Sequence, residues 1–260
     1  MSALRATGIE ELPQIGEAAI CMGVFDGVHR GHQVLLEATV EAAQCRGVKA
    51  AALVFDPHPD EVIRPGRLVA RLAPLHENLR RLREAGIEAA LPVRFDQALR
   101  DLTAEEFLLT MAPGVQVRAL IMSPESAFGR DRAGTAEAME AFGRSTGFEV
   151  VRVEGLVTER DEPISSGRIR RALAEGAVDD ASRLLGHPPY LEGNFAADNK
   201  LEFAYFPAFP APGQYRVAIR GGLTSPGVHA ALLTISPDSS AELLVDEPMG
   251  TEPIGLDLLS

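Results

Sequence analysis

Short unbroken apolar runs alternate with stretches of helical period over most of this chain. The runs cover residues 19–24, 50–55, 89–93, 117–122 and 149–153. Gly, Pro or charged residues flank four of them, as expected of strands buried on both faces of a parallel sheet. Between the runs, apolar residues return every three or four positions over 33–45, 75–84, 104–111 and 136–144, which predicts helices; Leu75, Leu79 and Leu82 share one face of the second. Thr103 and Glu106 make a capping box for the third. The alternation predicts an α/β domain with a doubly wound parallel sheet, in which ligands sit beyond the carboxyl ends of the strands. Two more helices are predicted over 166–175 and 179–185, and Pro188 and Pro189 then stop the pattern. From residue 190, Pro- and Gly-rich breaks separate alternating runs over 214–220, 229–235 and 241–245, which read as short antiparallel strands. The expected division is an α/β domain over 1–187 and a small, mostly β domain over 188–260.

Composition narrows the partners. A chain of 260 residues with 46% hydrophobic content can bury a sizeable core. Its 25 Lys and Arg against 37 Asp and Glu leave a formal charge of −12, a field that repels nucleic acid and anionic membrane. Residues 190–260 carry three basic residues, Lys200, Arg216 and Arg220, against nine acidic ones. No apolar run is long enough to span a bilayer. Glu10, Glu11 and Glu17 stand where a secretory signal would be apolar, so no signal is read. Cys21 and Cys45 fit no metal spacing and read as reduced thiols of a cytoplasmic protein, with Cys21 packed in a buried strand.

Candidate chemistry gathers in four segments. The first runs from Gly23 to His32, reading G-V-F-D-G-V-H-R-G-H, at the predicted junction of the first strand and helix. Such a junction offers unpaired N–H groups and a partial positive charge. His29 and His32 add imidazole donors, Gly23, Gly27 and Gly31 let the backbone approach a ligand, and Asp26 adds an acceptor. The pair therefore suits a polyphosphate better than the plainer arrangement of one helix-capping and one solvent-facing histidine. No third ligand stands nearby for a metal. The second segment, Phe55-Asp56-Pro57-His58-Pro59, reads either as a turn or as a rigid apolar wall with a polar tip beside a planar ligand. The third is Ser165-Ser166-Gly167-Arg168-Ile169-Arg170. Either serine can cap a helix, and two arginines in its first turn oppose the helix dipole, which suggests an external anion. Arg171 continues the basic run, as a plain solvated face would. The fourth, from Phe128 to Gly134, is by itself a charged surface loop bracketed by Gly129 and Gly134.

Taken together, the four segments resemble the adenylyltransferase module of bacterial bifunctional riboflavin kinase/FAD synthetases. The family pattern G-x-F-D-G-V-H-x-G-H is matched by Gly23 to His32, F-x-P-H-P by Phe55 to Pro59, F-G-x-x-x-x-G by Phe128, Gly129 and Gly134, and S-S-T-x-I-R by Ser165, Ser166, Ile169 and Arg170. The likeness covers about residues 15–193. It implies a Rossmann-like nucleotidyltransferase over 1–187 that transfers AMP from ATP to FMN, giving FAD and pyrophosphate, with Mg²⁺ carried by the ATP. It further implies Gly23, Phe25, Asp26, Gly27, His29, His32, Ser165, Ser166 and Arg170 at the ATP. His29, His32, Ser166 and Arg170 would act at the reacting phosphates, and Phe55, His58, Pro59, Glu125 and Phe128 at the flavin. No protein metal ligand is implied.

The chain also departs from the pattern. Gly167 stands where the family has Thr, Glu125 where it has Asn or Asp, Ser123 where it has Gly, and Pro163 where it often has a basic residue. The kinase module's G-x-P-T-A-N is answered only by Gly193 to Asn199, with Ala196 and Ala197 in place of Pro and Thr. Glu242 lies near the usual catalytic base of that module. Residues 188–260 are therefore expected to be a shortened, degenerate kinase-like β domain without riboflavin kinase activity. Two competitors remain: a related nucleotidyltransferase acting on a modified flavin or another phosphorylated acceptor, and a non-catalytic flavin- or nucleotide-binding protein.

Overall fold

A computed structural model describes residues 5–124, 126–155, 157–196, 199–220, 229–245 and 253–259. The chain forms two compact units, one from Met1–Arg67 with Leu75–Thr158, the other from Leu68–Pro74 with Glu159–Ser260. In the first unit the strands and helices follow in the order β1 (Gly16–Gly23), α1 (Arg30–Arg46), β2 (Lys49–Asp56), α2 (Pro59–Ile63), α3 (Leu75–Glu84), β3 (Ala89–Arg94), α4 (Gln97–Asp101), α5 (Ala104–Met111), β4 (Val115–Met122), α6 (Ala136–Thr146) and β5 (Glu149–Arg152). The five strands make one sheet in the order β3-β2-β1-β4-β5, and every pairing in it is parallel.

The sheet is covered on both faces, which is why its strands read as continuous apolar runs. Ala18 and Ile20 of β1 face a core with Leu53, Phe107, Leu108, Met111 and Met139. Their neighbours Ala19 and Cys21 face the opposite core with Leu36, Val54, Leu79 and Leu82. Helices α5 and α6 thus cover one face and α1 and α3 the other. β1 continues to β2 and β3 on one side, and β4 returns on its other side, so the order of strands reverses between β1 and β4. That reversal makes the crevice past their carboxyl ends the natural ligand position.

A short ribbon of β6 (Thr158–Glu159) and β7 (Glu162–Pro163) follows. The second unit then holds α7 (Ser166–Ala174), α8 (Val178–Leu185), β8 (Tyr190–Phe195), β9 (Leu201–Glu202), β10 (Gly213–Arg220), β11 (His229–Ile235), β12 (Ala241–Leu244) and β13 (Ile254–Leu258). Its strands pair in the order β12-β11-β10-β13-β8-β9, and a bridge between Lys200 and Glu242 joins the two edges into a small barrel. Leu191, Val217, Leu233, Leu243 and Leu256 fill the interior, and Val178 of α8 joins them. The segment 68–74 pairs with this unit as a strap: Arg71 N–H donates to Phe206 O at 2.7 Å, and Ala208 N–H to Arg71 O at 2.8 Å. Val69, Leu72 and Ala73 are buried. No described helix is long and apolar enough to cross a membrane.

Several elements escape the hydrophobic pattern. β8 and β13 carry glycines inside a strand, where glycine signals close approach rather than strand. A Cβ on Gly255 would lie 2.4 Å from the Tyr190 hydroxyl. The Pro57–Pro59 stretch, open from the sequence to a turn or to a rigid wall, gives no helix signal, yet Pro59 opens α2 with His58 as its cap, a position where a missing N–H costs nothing. The loop from Phe128 to Gly134 also has a packing reason. Phe128 and Gly134 exchange backbone hydrogen bonds at 3.3 and 2.9 Å, and Arg130 N–H donates to Leu102 O at 2.7 Å. Gly129 (φ 72°) and Gly134 both press on the start of α5: an added Cβ would stand 2.5 Å from Ala104 N and from Ala104 Cβ, respectively.

Replacing Gly129 by Ala therefore combines backbone strain with a clash that only α5 can relieve. We expect Gly129→Ala to lower folding stability by about 2–4 kcal/mol in denaturant titration. A change below about 0.5 kcal/mol would mean that the loop does not rest on α5 as described.

Candidate functional site

β1 brings the chain to the crevice at Gly23, and there the backbone leaves extended geometry. Phe25, Gly27 and Val28 have φ values of 51°, 74° and 42°. Glycine enters this left-handed region freely; Phe and Val do so at a cost of about 1–3 kcal/mol each. The resulting 3-10 turn, Asp26–Val28, redirects the chain so that His29 becomes the N-cap of α1, a helix of 17 residues. Phe25 and Asp26 are buried beneath it. Gln33 of α1 ties the turn down by donating from Nε2 to Val28 O at 3.1 Å.

The two histidines form one unit. His29 is 5% exposed, and its Nδ1 accepts the His32 N–H at 3.3 Å. A neutral His29 therefore carries its proton on Nε2, as a donor. The His32 ring stacks on it with centroids 3.6 Å apart and planes inclined by 16°, and meets Phe25 edge-on at 5.2 Å. His29 thus does cap the helix, while His32 is half-buried against it rather than turned to solvent. Among the described residues, His32 Nδ1 is a buried ring nitrogen without a hydrogen-bond partner. Burial first, and repulsion from His29 second, hold the His32 pKa well below 6.5. A shielded imidazole pair over the positive end of a helix is suited to receive phosphate oxygens.

Beside this corner lies an aromatic cavity. Phe55 meets Phe95 edge-on at 5.6 Å and Phe107 at 6.3 Å, and Phe107 meets Phe128 at 5.4 Å. These rings, with Pro59 and Ile63, line a cavity of about 480 Å³ that Arg100, Arg130 and Arg132 also border. A smaller one of about 180 Å³ shares Phe55, Ala127, Phe128 and Arg132 with it and reaches Met22, Gly23 and Met122. The aromatic space therefore runs to the carboxyl ends of β1 and β4, where the histidine turn begins. The larger volume falls in the range of small-molecule sites.

The residues anticipated from the sequence divide by place. Phe55, Pro59 and Phe128 line the aromatic cavity. His58 caps α2, its Nδ1 accepting Asp60 N–H at 3.1 Å. Glu125 lies outside the described residues. Gly23, Phe25, Asp26, Gly27, His29 and His32 build the corner. Ser165, Ser166 and Arg170 belong to the second unit. There Ser165 caps α7 by accepting Arg168 N–H at 3.2 Å, and Arg170 Nε donates to Ala70 O of the strap at 2.5 Å. Arg168 donates to the carbonyls of Glu162 and Glu159 at 2.7 and 2.8 Å, so this cation against the helix dipole is matched within its own unit. A Cβ on Gly167 would meet nothing nearer than Ser165 Oγ at 3.9 Å, so the space for a threonine is open.

Other residues carried weaker signals. Phe95 follows β3 as Phe55 ends β2, and its N–H donates to Asp56 O at 3.0 Å; aromatics at the ends of adjacent strands are the clue. A second cavity of about 480 Å³ opens past β4 and β5, bordered by Ser123, Ser126, Thr135, Glu137 and Arg152. Arg152 is held by Glu137 and Glu140 at 2.7 Å each, an arrangement no local spacing announces. Among the described residues no cluster of His, Cys, Asp and Glu could hold a metal ion.

Comparison with known proteins follows the same outline. Residues 12–168 match the family model described as FAD synthetase. The chain is 33% identical over 194 residues to the bifunctional riboflavin kinase/FMN adenylyltransferase of Escherichia coli (strain K12), covering 74% of this chain and 61% of that protein. It is 36% identical over 186 residues to the enzyme of the same name from Pseudomonas fluorescens, covering 69% and 58%. The match thus spans about three fifths of these relatives. In fold, the chain is similar to a crystal structure described as a macrolide-efflux protein from Streptococcus pneumoniae, with a TM-score of 0.85 at 23% identity, covering 98% of this chain and 88% of that one. At that identity the likeness concerns architecture alone. The match to residues 12–168 takes in the histidine turn, the aromatic loop and the start of α7, and by it the chain belongs to the FAD synthetase family.

Proposed function

We propose that this protein is an FMN adenylyltransferase that moves AMP from ATP to FMN, forming FAD and releasing pyrophosphate. The observation that carries the proposal is that the aromatic cavity and its smaller neighbour reach Gly23 at the end of β1, the residue from which the turn to the stacked imidazole pair departs. The cavity is of a size to take an isoalloxazine ring, and the histidine corner suits a polyphosphate; the transfer needs both.

The chemistry needs no protein nucleophile. A phosphate oxygen of FMN attacks the α-phosphorus of ATP, the bond to the bridging β-oxygen breaks, and the electron pair leaves with pyrophosphate. Cys21 takes no part: burial raises its thiol to about 12, and its Sγ faces Ala51 O within the core. The protein must align two anions and balance the charge that grows on the leaving oxygen. In this reading His29 Nε2 donates to ATP phosphate oxygens, and His32 adds its ring from below. Ser165, Ser166 and Arg170 are assigned to the same phosphates by their match to the family element. Phe55, Pro59 and Phe128 hold the flavin, and His58 and Glu125 are assigned to it by the match to the family pattern alone. Mg²⁺ arrives with ATP and is held largely by phosphates and water. The cavity past β4 and β5 is of a size to take the nucleoside of ATP. Two unbridged thiols suit work in a reducing cytoplasm.

We also infer that residues 188–260 no longer phosphorylate riboflavin. Ala196 replaces a residue of the kinase element, and Ala197 and Asp198 lie outside the described residues. The described barrel interior is filled by apolar side chains, and Glu242 is exposed on the outside. Purified protein given riboflavin and Mg-ATP is expected to form no FMN; appreciable FMN would overturn this inference.

Two further outcomes test the site. The double variant His29→Ala/His32→Ala is expected to lower kcat for FAD formation by about 10²–10³-fold while leaving FMN affinity within about twofold; unchanged kcat would remove the pair from the mechanism. The second concerns pH. The folded site keeps His32 neutral, whereas the unfolded chain takes up a proton below the ordinary value of 6.5. The stability that comes from neutral His32 is therefore complete above pH 6.5 and is lost as the pH falls from there toward the depressed folded value. Thermal unfolding should show the wild type losing more stability between pH 7.5 and 5.5 than His32→Gln; equal slopes would contradict the burial described.

A further inference from the structure

The structure assigns Asn78 of α3 as a positioning residue for the nucleotide corner, acting through the backbone of Gly27 on His29. The assignment rests on the adenylyltransferase reading for its kinetic part and on geometry alone for the rest.

α3 has two kinds of buried face. Leu79 and Leu82 are fully buried in the sheet core, as its apolar period foretells. Glu77, Asn78 and Arg81 are also buried, at 3%, 4% and 9% exposure. Polar groups so deeply buried require partners, and theirs are specific. Glu77 Oε1 and Arg81 Nε stand 2.9 Å apart, and Arg80 donates to both Glu77 oxygens at 2.6 and 2.7 Å. Between these anchored neighbours, Asn78 Oδ1 accepts the Gly27 N–H at 2.9 Å across 51 residues of sequence.

Gly27 is the middle of the strained turn. Phe25 and Val28 on either side hold left-handed φ values, and such residues persist only where the surroundings over-determine them. The turn's own bond runs from Val28 N–H to Phe25 O at 3.1 Å, and Gln33 fixes Val28 O from the α1 side. Asn78 fixes the turn from the α3 side. His29 follows Val28 directly, so the turn sets where its Nε2 points. Without the Asn78 oxygen, a buried N–H loses its acceptor and the turn is free to relax toward ordinary φ values. A displacement of about 1 Å at a reacting group costs up to about 100-fold in rate.

The test uses the full chain with Asn78→Ala and Asn78→Asp. Asn78→Ala is expected to lower kcat/KM for ATP by about 10–100-fold with FMN affinity unchanged within about twofold. It should also raise the hydrogen-exchange rate of the Gly27 amide. Asn78→Asp keeps an acceptor oxygen in place and should restore most of both readouts. Added to His29→Ala, Asn78→Ala should cost little more, because both act through the same ring. Wild-type kcat/KM in Asn78→Ala, full additivity with His29→Ala, or unchanged Gly27 exchange would each overturn the assignment. If Asn78→Ala does not fold, Asn78→Ser is read instead, and wild-type values for it overturn the assignment equally. A wild-type protein that makes no FAD would remove the adenylyltransferase reading, while Gly27 exchange would still test the brace.

Discussion

Everything at the site depends on how the chain turns from β1 into α1. A strand in a parallel sheet points its carboxyl end into the crevice, and a helix that starts there presents its positive end to the same space. Here the turn is made by three left-handed residues, two of which are not glycine. The strain is held by ties from two helices, Gln33 of α1 and Asn78 of α3. The result is that His29 caps α1 through its Nδ1, and His32 stacks on it. Strain, capping and imidazole placement are one arrangement.

How much of this the sequence could reveal follows from which forces leave a local trace. The parallel strands are legible because both faces are buried and the apolar run is continuous. α3 is half legible: its leucines announce the core face, but Glu77, Asn78 and Arg81 look like an ordinary solvated side, and only the structure shows them buried, with Asn78 bonded to Gly27. The glycines of the 128–134 loop look like loop punctuation, and only their contact with Ala104 explains them. β8 and β13 were hidden because their glycines answer to close neighbours on paired strands. Phe95 and Phe107 join the cavity through sheet order, which no window of the sequence contains.

The second unit is built on a different logic. Among the described residues its barrel closes through a bridge between Lys200 and Glu242 around an apolar core. It also claims residues 68–74, a strap that leaves the α/β unit after α2 and returns at α3. The helix that braces the histidine turn therefore begins where the strap ends. Within that unit Arg170 of α7 ties the strap down through Ala70 O.

The central claim is that an incoming flavin phosphate displaces pyrophosphate directly at a nucleotide held by paired imidazoles. Incubation with FMN and ATP labelled at the α-phosphorus tests it most directly. The account predicts that the label passes into FAD with unlabelled pyrophosphate released and none bound to protein. Label left in ATP or ADP, or attached covalently to the chain, would contradict it.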